Sequence, residues 1–504
     1  MKIKLCVLIG LLIGIAMTAC APAPTVVPTP APPTAAPVAP VPPTSAPAAP
    51  TAAATAAPTG PTATRPAATN TAAPTPTNVP PAVTAAPGAV RIQFWHYLTG
   101  ASQVVAVQRA VDKFNAANPQ YYIVPVIGGN ISQLNQKMMA AIQANAVPDM
   151  VMGNPGELAQ YDDAGAMIDM TALINDAKDG LTSAQLAEIN QPLYFDKFGS
   201  KILGLSFGRS GQVMFYNADM LAAAGFTKAP ETWEDFDKVC AGVTKGDVSC
   251  YAFVPSASTF ASWVWSWGGT YASADEKKAT FDDAAGVATL KWLKNLADKK
   301  YAYQPSAAFG DQTDFGNGKV AFTWGSTAGL PFYYAAVKGS VKPFKWDIAP
   351  MPRGPGAKNN VDLFGPSVGI VKSNADKQRG AWLFLKYMLT KDQEVDWAAT
   401  TTYFPAPKSA QDAILALNET QAAALNKDFP NFLPQFKTAV GFVSSVGMRE
   451  PNSSAWQSAR TIIANMVTAV FTGKSGSDFK ETDPEKAAKE GVERVNKALS
   501  EYGK

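Results

Sequence analysis

The chain holds one histidine, His96, and four cysteines among 504 residues. Cys6 and Cys20 lie at the N-terminal end, so Cys240, Cys250 and His96 are all that the rest of the chain keeps. No zinc centre of cysteine and histidine donors can be assembled from that set, and no cofactor is expected. A Ser-His-Asp hydrolase would have to use His96, and no Gly-x-Ser-x-Gly elbow occurs. Charge is scarce at 16% of residues. It is also balanced: the 43 basic residues less Lys2, Lys4 and Arg65 leave 40 from Val90 onward, against 40 acidic ones. Without a basic tract, neither nucleic acid nor an anionic membrane surface is expected as a partner. Aromatic residues are missing before Val90, and all 51 lie beyond it.

What stands at the N-terminus is a targeting pattern. Lys2 and Lys4 precede an apolar run, Leu5 to Ala16, that is too short to span a bilayer comfortably. Met17-Thr18-Ala19-Cys20 follows and resembles a bacterial lipobox, with Met17 where leucine is usual. Residues 1–20 therefore predict a lipoprotein signal with Cys20 as the lipidation site. Residues 21–89 are nearly all Ala, Pro, Thr and Val and hold 20 of the 40 prolines. Such a segment buries too little apolar surface to offset its ordering entropy, and its prolines favour extended geometry. At about 3.1 Å per residue its contour reaches on the order of 200 Å. It reads as a tether, holding residues 90–504 outside the cytoplasm on a lipid anchor. In that oxidising setting Cys240 and Cys250, ten residues apart, are expected to pair.

The 415 residues from Val90 suffice for two lobes. Arg91–Trp95 reads as a strand, Val104–Asn118 as a helix ended by Asn118-Pro119, and Tyr121–Ile127 as a second strand. Ser132 is expected to cap the next helix, and Asp149–Met152 is a third strand. This order predicts βα units and a mainly parallel sheet. Further on, Val213–Tyr216, Lys319–Trp324 and Val368–Val371 read as strands. Thr232 with Asp235 starts one helix, Ala375–Leu389 forms another, and Pro484–Tyr502 ends the chain as a third. Trp263, Trp265 and Trp267 alternate, which predicts a strand with all three on one face.

Several landmarks recur in order. They include Phe94-Trp95-His96, Phe114-Asn115-Ala116-Ala117-Asn118-Pro119 and Pro148-Asp149. Phe215-Tyr216-Asn217-Ala218-Asp219-Met220-Leu221 is followed by Pro230-Glu231-Thr232-Trp233-Glu234-Asp235-Phe236. Gly316-Asn317-Gly318-Lys319-Val320-Ala321-Phe322, Thr402-Tyr403-Phe404-Pro405 and Phe471-Thr472-Gly473-Lys474 complete the set. Together these resemble the extracellular solute-binding proteins of the maltose and glycerol-3-phosphate importer type, over nearly all of 90–504. The resemblance implies a periplasmic-binding-protein-like α/β fold, with lobe 1 at about 90–207 and 365–403 and lobe 2 at about 208–364 and 404–504. Crossings are expected near Gly204–Gly211, Leu363–Pro366 and Tyr403–Ala406. It further implies a monomer that is not an enzyme, closes on a small ligand and delivers it to the permease of an ABC transporter.

A sugar presents hydroxyls at its edge and apolar C–H faces, so its site wants aromatic plates and polar side chains. The candidates are His96 and Tyr97 after the first strand, Asn130 after the second, and Asn154, with Glu157 behind it, after the third. To these the resemblance adds Arg209 and Ser210 at the first crossing, Trp267 as a stacking plate, and Trp324 and Ser326 at a strand end. It also adds Gly365, Tyr403, Arg449 and Trp456. The glycerol-phosphate relatives carry a tyrosine where Ile131 stands and an acidic residue near Pro155. A neutral mono- or oligosaccharide is therefore expected over a polyol phosphate, which would want Arg209 or Arg449 in the cleft. A secreted glycosidase would need two facing carboxylates, but Asp149 belongs to the Pro-Asp element and Asp162-Asp163 reads as a solvated helix face. A tethered sugar sensor is the third class.

Overall fold

The chain enters its described course as a two-residue edge strand and then builds βα units. The computed structural model describes residues 77–78, 83–307, 309–425, 433–476 and 479–502. Cys20 and the segment up to residue 76 lie outside these. In chain order, β1 (Thr77–Asn78), β2 (Val90–His96), β3 (Tyr121–Ile127), β4 (Met150–Gly153), β5 (Phe195–Phe198) and β6 (Lys201–Leu205) share one sheet. β7 (Ser210–Asn217), β8 (Ser249–Ala252), β9 (Ala302–Tyr303), β10 (Val320–Ser326), β11 (Trp346–Ala349) and β12 (Val361–Phe364) make a second. The chain returns to the first sheet for β13 (Ser367–Ile370), and β14 (Gly447–Met448) joins the second. The orders are β1-β3-β2-β4-β13-β6-β5 and β14-β12-β7-β10-β8-β9, with β11 also on β7. Each sheet carries its own helices, giving two α/β lobes.

The expected parallel arrangement holds for β2 with β3 and β4. It is corrected for the rest of that sheet: β13 runs antiparallel to β4, with Ser367 opposite Gly153. The reason is topological, because β13 arrives from the other lobe and enters at the end where β4 leaves. Alternation along β2 and β4 sends Ile92, Phe94, Met150 and Met152 to one core and Trp95 and Val151 to another. Two local devices explain the landmark motifs. Asn115 clamps Ile123, accepting its N–H at 2.8 Å and donating to its carbonyl at 3.1 Å, which fixes the first helix on β3. Asp149 accepts the Gln93 N–H at 2.9 Å and pairs with Lys377 at 3.1 Å, joining β2 to the helix Ala375–Met388.

Lobe 2 is organised around aromatic rings. Trp233, Trp263, Trp292, Trp324, Tyr251 and Phe236 contact one another, the Tyr251–Trp324 pair edge-on at 4.3 Å. The stretch holding Trp263 and Trp265 is a helix, Ala257–Ser266, capped by Ser256, and the strand expectation is corrected. All ten of its residues are buried, so no polar face exposes the helical period, and the alternating tryptophans mislead. Ser132 does not cap its helix either. Asn130 does, accepting the Gln133 N–H at 3.0 Å. Cys240 and Cys250 form a buried disulfide with Cα atoms 5.0 Å apart.

Candidate functional site

Where the chain crosses between the sheets, three connections lie side by side. Residues 206–209 lead from β6 to β7, Gly365-Pro366 leads from β12 to β13, and the third follows the helix Lys391–Thr401. Arg209 ties them together. Its side chain is buried, donating to Asp196 at 2.7 Å, to the Leu193 carbonyl at 2.9 Å and to the Gly365 carbonyl at 2.8 Å. Its backbone also bridges Phe404. Gly365 adopts φ +142°, a conformation that glycine tolerates, and the rings and backbone of Tyr403, Gly208 and Ser210 close around it. Arg209 is thus a structural clamp, three of its five N–H donors being engaged within the protein, and it also lines the cavity beside it.

In front of this clamp lies a cavity of about 80 Å³ between the lobes. Lobe 1 offers it the N-terminus of the helix Pro155–Asp163. Asn154 precedes that helix, its N–H held by Glu157 at 2.9 Å, and its side chain accepts from the Tyr97 hydroxyl at 3.4 Å. Lobe 2 offers Arg449, Glu450, Trp456, Gln457 and Arg460. The two walls touch. Gln457 donates to Glu157 at 2.6 Å, Ser454 to Asp163 at 2.9 Å, and Arg449 faces Asp196 at 3.5 Å. A side chain at Gly156 would put Cβ 2.6 Å from Gln457, so glycine is what lets the lobes come this close. This is a closed arrangement.

The floor of the cavity is a buried charge network. Glu450 receives Ser258 at 2.7 Å, the Trp456 indole N–H at 3.2 Å and the Arg460 guanidinium. Its own N–H donates to Asp362 at 3.3 Å. Burial, and then the neighbouring Glu450, pushes the Asp362 carboxyl well above its ordinary value. Burial pushes Glu450 the same way, but Arg460 and Ser258 outweigh it and hold Glu450 below the ordinary value. The network therefore sets two carboxyl groups, shifted in opposite directions, beside one guanidinium. Burial raises Glu157 and, followed by Tyr403, raises the Tyr97 hydroxyl. Polar groups of both kinds around a small void suit a ligand rich in hydroxyls. Among the described residues no group of three His, Cys, Asp or Glu could hold a metal ion.

Two lobes, three adjacent crossings and a polar void between them are the architecture of a clamp for a solute. A sequence profile of bacterial extracellular solute-binding proteins matches residues 109–428. The chain belongs to that family. The sn-glycerol-3-phosphate-binding periplasmic protein UgpB of Escherichia coli (strain K12) is 24% identical over 441 residues, covering 83% of this chain and 94% of its own length. Among solved structures, the cyclic alpha-maltosyl-1,6-maltose binding protein from Arthrobacter globiformis aligns with a TM-score of 0.67 at 20% identity, over 81% of this chain and 100% of its own. UgpB from Mycobacterium tuberculosis, in complex with glycerophosphocholine, aligns at 0.67 and 20%, over 82% and 99%.

Of the residues singled out in sequence, this solute-binding protein brings Asn154, Arg209, Gly365, Arg449 and Trp456 to the cavity wall. Tyr97 and Tyr403 stand just behind, the first on Asn154 and the second against Gly365, where burial pushes its hydroxyl up to about 12. The others are placed elsewhere. His96 is buried against Phe94 at 5.4 Å, and burial lowers its imidazole to about 4. Asn130 is an exposed helix cap. Ser210 is buried and donates to the Phe364 carbonyl at 3.2 Å. Trp267 ends the tryptophan helix and stacks on Trp233 at 5.9 Å, away from the cavity. Trp324 belongs to the aromatic core, and Ser326 caps a turn at Ala328. Sequence reasoning missed Asp362, Glu450, Gln457 and Arg460. A signal existed for part of this set: Trp456 and Arg460 are four apart, on one helix face, directly after Arg449-Glu450.

Proposed function

We propose that this protein is the substrate-binding component of an ABC importer, capturing a sugar between its lobes and presenting the closed form to the permease. The observation that carries this is the set of contacts across the cleft, Glu157 to Gln457, Asp163 to Ser454 and Asp196 to Arg449, around a polar void beside the three crossings. Lobe 1 comprises about 90–207 and 365–403, and lobe 2 about 208–364 and 404–504. The protein works as a monomer without catalysis, tethered through residues 21–89 to a lipid on Cys20. A second reading, a glycerol phosphate or related polyol phosphate as ligand, is favoured by one feature. Two arginines, Arg209 and Arg449, line the cavity, guanidinium groups of the kind that pair with phosphate.

A thermal-shift screen of mono- to trisaccharides, polyols and glycerol 3-phosphate separates these. A ligand at 100 times its Kd adds about 2.7 kcal/mol, a shift of about 3 °C for a folded body of this size. A neutral sugar should produce it. A shift with glycerol 3-phosphate alone selects the second reading, and silence across the panel refutes both.

A further inference from the structure

The wall that lobe 2 gives the cavity holds a donor that the protein leaves unused. Asn452 lines the cavity at 8% exposure, and its Nδ2 is buried without a hydrogen bond among the described residues. A buried donor that lacks an acceptor is unfavourable, so its presence calls for an explanation. Arg449, three residues earlier, brings a second such donor, Nη1, to the same cavity. Acceptor oxygens on a bound solute would satisfy both.

Asn452 is held in place from elsewhere in lobe 2. Its backbone N–H donates to the Glu276 carboxylate at 2.8 Å, a contact between residues 176 apart in the chain. Glu276 stands at the tip of a tight turn. Ala272 bridges Ala279, the Ser273 N–H donates to the Lys278 carbonyl at 2.8 Å, and the Glu276 N–H donates to the Ser273 carbonyl at 2.8 Å. The base of the turn is pinned to the terminal helix, where the Ala279 N–H donates to Asn496 at 2.7 Å. Ala274, Asp275, Lys277 and Lys278 are exposed, and Glu276 between them is half-buried. It turns inward at φ +58°, a left-handed conformation in which a glutamate is strained and a glycine is not. What that strain secures is a carboxylate placed on the Asn452 N–H.

We infer, resting on the solute-binding reading, that Asn452 is a specificity-determining residue whose amide donates to an acceptor oxygen of the solute, and that Glu276 is a positioning residue that acts through it. Glu276 fixes the backbone from which the Asn452 side chain projects, so the donor is oriented before the solute arrives.

Two measurements on the full chain test this. Amide hydrogen exchange at Asn452 needs no ligand, and calorimetric titration uses maltose, maltotriose, glycerol 3-phosphate and glycerophosphocholine. Glu276→Gly removes the carboxylate and the strain together, so the variant should fold with little change in melting temperature. Exchange at the Asn452 N–H should nevertheless quicken, and the tightest-binding probe should lose at least about tenfold in affinity. Glu276→Gln keeps an acceptor and should lose less. Asn452→Ala should weaken the same probe by at least about tenfold, and adding Glu276→Gly to it should cost nothing more. Unchanged exchange in Glu276→Gly overturns the positioning role. Wild-type affinity in Asn452→Ala overturns the contact, and additive losses in the double variant break the link between the two residues. In each of these cases the solute-binding reading stands. If no probe binds the wild-type chain, the sugar and polyol-phosphate readings fall, and the specificity role falls with them.

Discussion

Replacing Arg209 by methionine removes a guanidinium that is 1% exposed and makes three hydrogen bonds. It leaves Asp196, fully buried, with Arg449 at 3.5 Å as its remaining counter-charge. Removing one partner of a buried pair costs about 3–5 kcal/mol, because the stranded charge keeps its desolvation penalty. Two orphaned carbonyls, of Leu193 and Gly365, add to this, while Arg449 offsets part of it. The expected net loss is about 4 kcal/mol, or about 4–5 °C in Tm for a body of some 415 residues. Arg209→Lys should lose a large part of it as well, since an ammonium cannot serve three acceptors held in a fork. Urea unfolding of the ligand-free protein measures the loss. Adding Asp196→Asn to the methionine variant should return more than about 1 kcal/mol by removing the stranded charge. A methionine variant within about 1 kcal/mol of wild type would refute the clamp. So would a second substitution that simply adds its own penalty.

Two further predictions concern stability. The His96 imidazole sits near 4 in the folded protein against an ordinary 6.5, so between those values the unfolded chain binds the extra proton. Its contribution is complete above about pH 6.5 and falls by up to about 3 kcal/mol as the pH drops toward 4. His96→Phe should remove that slope, so the difference in urea midpoint between wild type and variant must vary across this window, and parallel profiles would contradict it. The Cys240–Cys250 bridge closes a short loop, with a sequence separation of 10. Loop-closure entropy gives about 3 kcal/mol for such a loop. Cys240→Ala/Cys250→Ala should therefore melt about 3 °C lower, and its melting should be insensitive to reductant while that of wild type should fall. Equal melting temperatures would argue against the bond.

Local chemistry was readable in the sequence, and chemistry assembled from distant segments was not. The alternation of short apolar runs with helical periods from Arg91 to Met152 pointed to βα units, and the motifs holding Asn115 and Asp149 carried the family resemblance. Asn154, Arg449 and Trp456 follow strand ends or open a terminal helix, positions that the fold turns toward its cleft. The tryptophan helix was misread because every one of its residues is buried, which erases the period that separates helix from strand. Asn130 was misassigned because a side chain that follows a strand can end as a cap as easily as a ligand contact. The floor network was invisible for a different reason. Glu450 meets Ser258, 192 residues away, and Asp362, 88 residues away, and no spacing rule reaches that far.

The first described strand has a mechanical meaning. β1 pairs with β3, Thr77 opposite Ile127 and Asn78 opposite Val126, at the outer edge of the first sheet. If those two pairs release, the next strand to bear load is β2, in the same sheet. Whatever precedes Thr77 therefore pulls on lobe 1 alone, and the crossings relay that pull to the other half. If the protein is held through the tether proposed for residues 21–89, lobe 1 is the jaw fixed to the anchor and lobe 2 is the one free to swing relative to it.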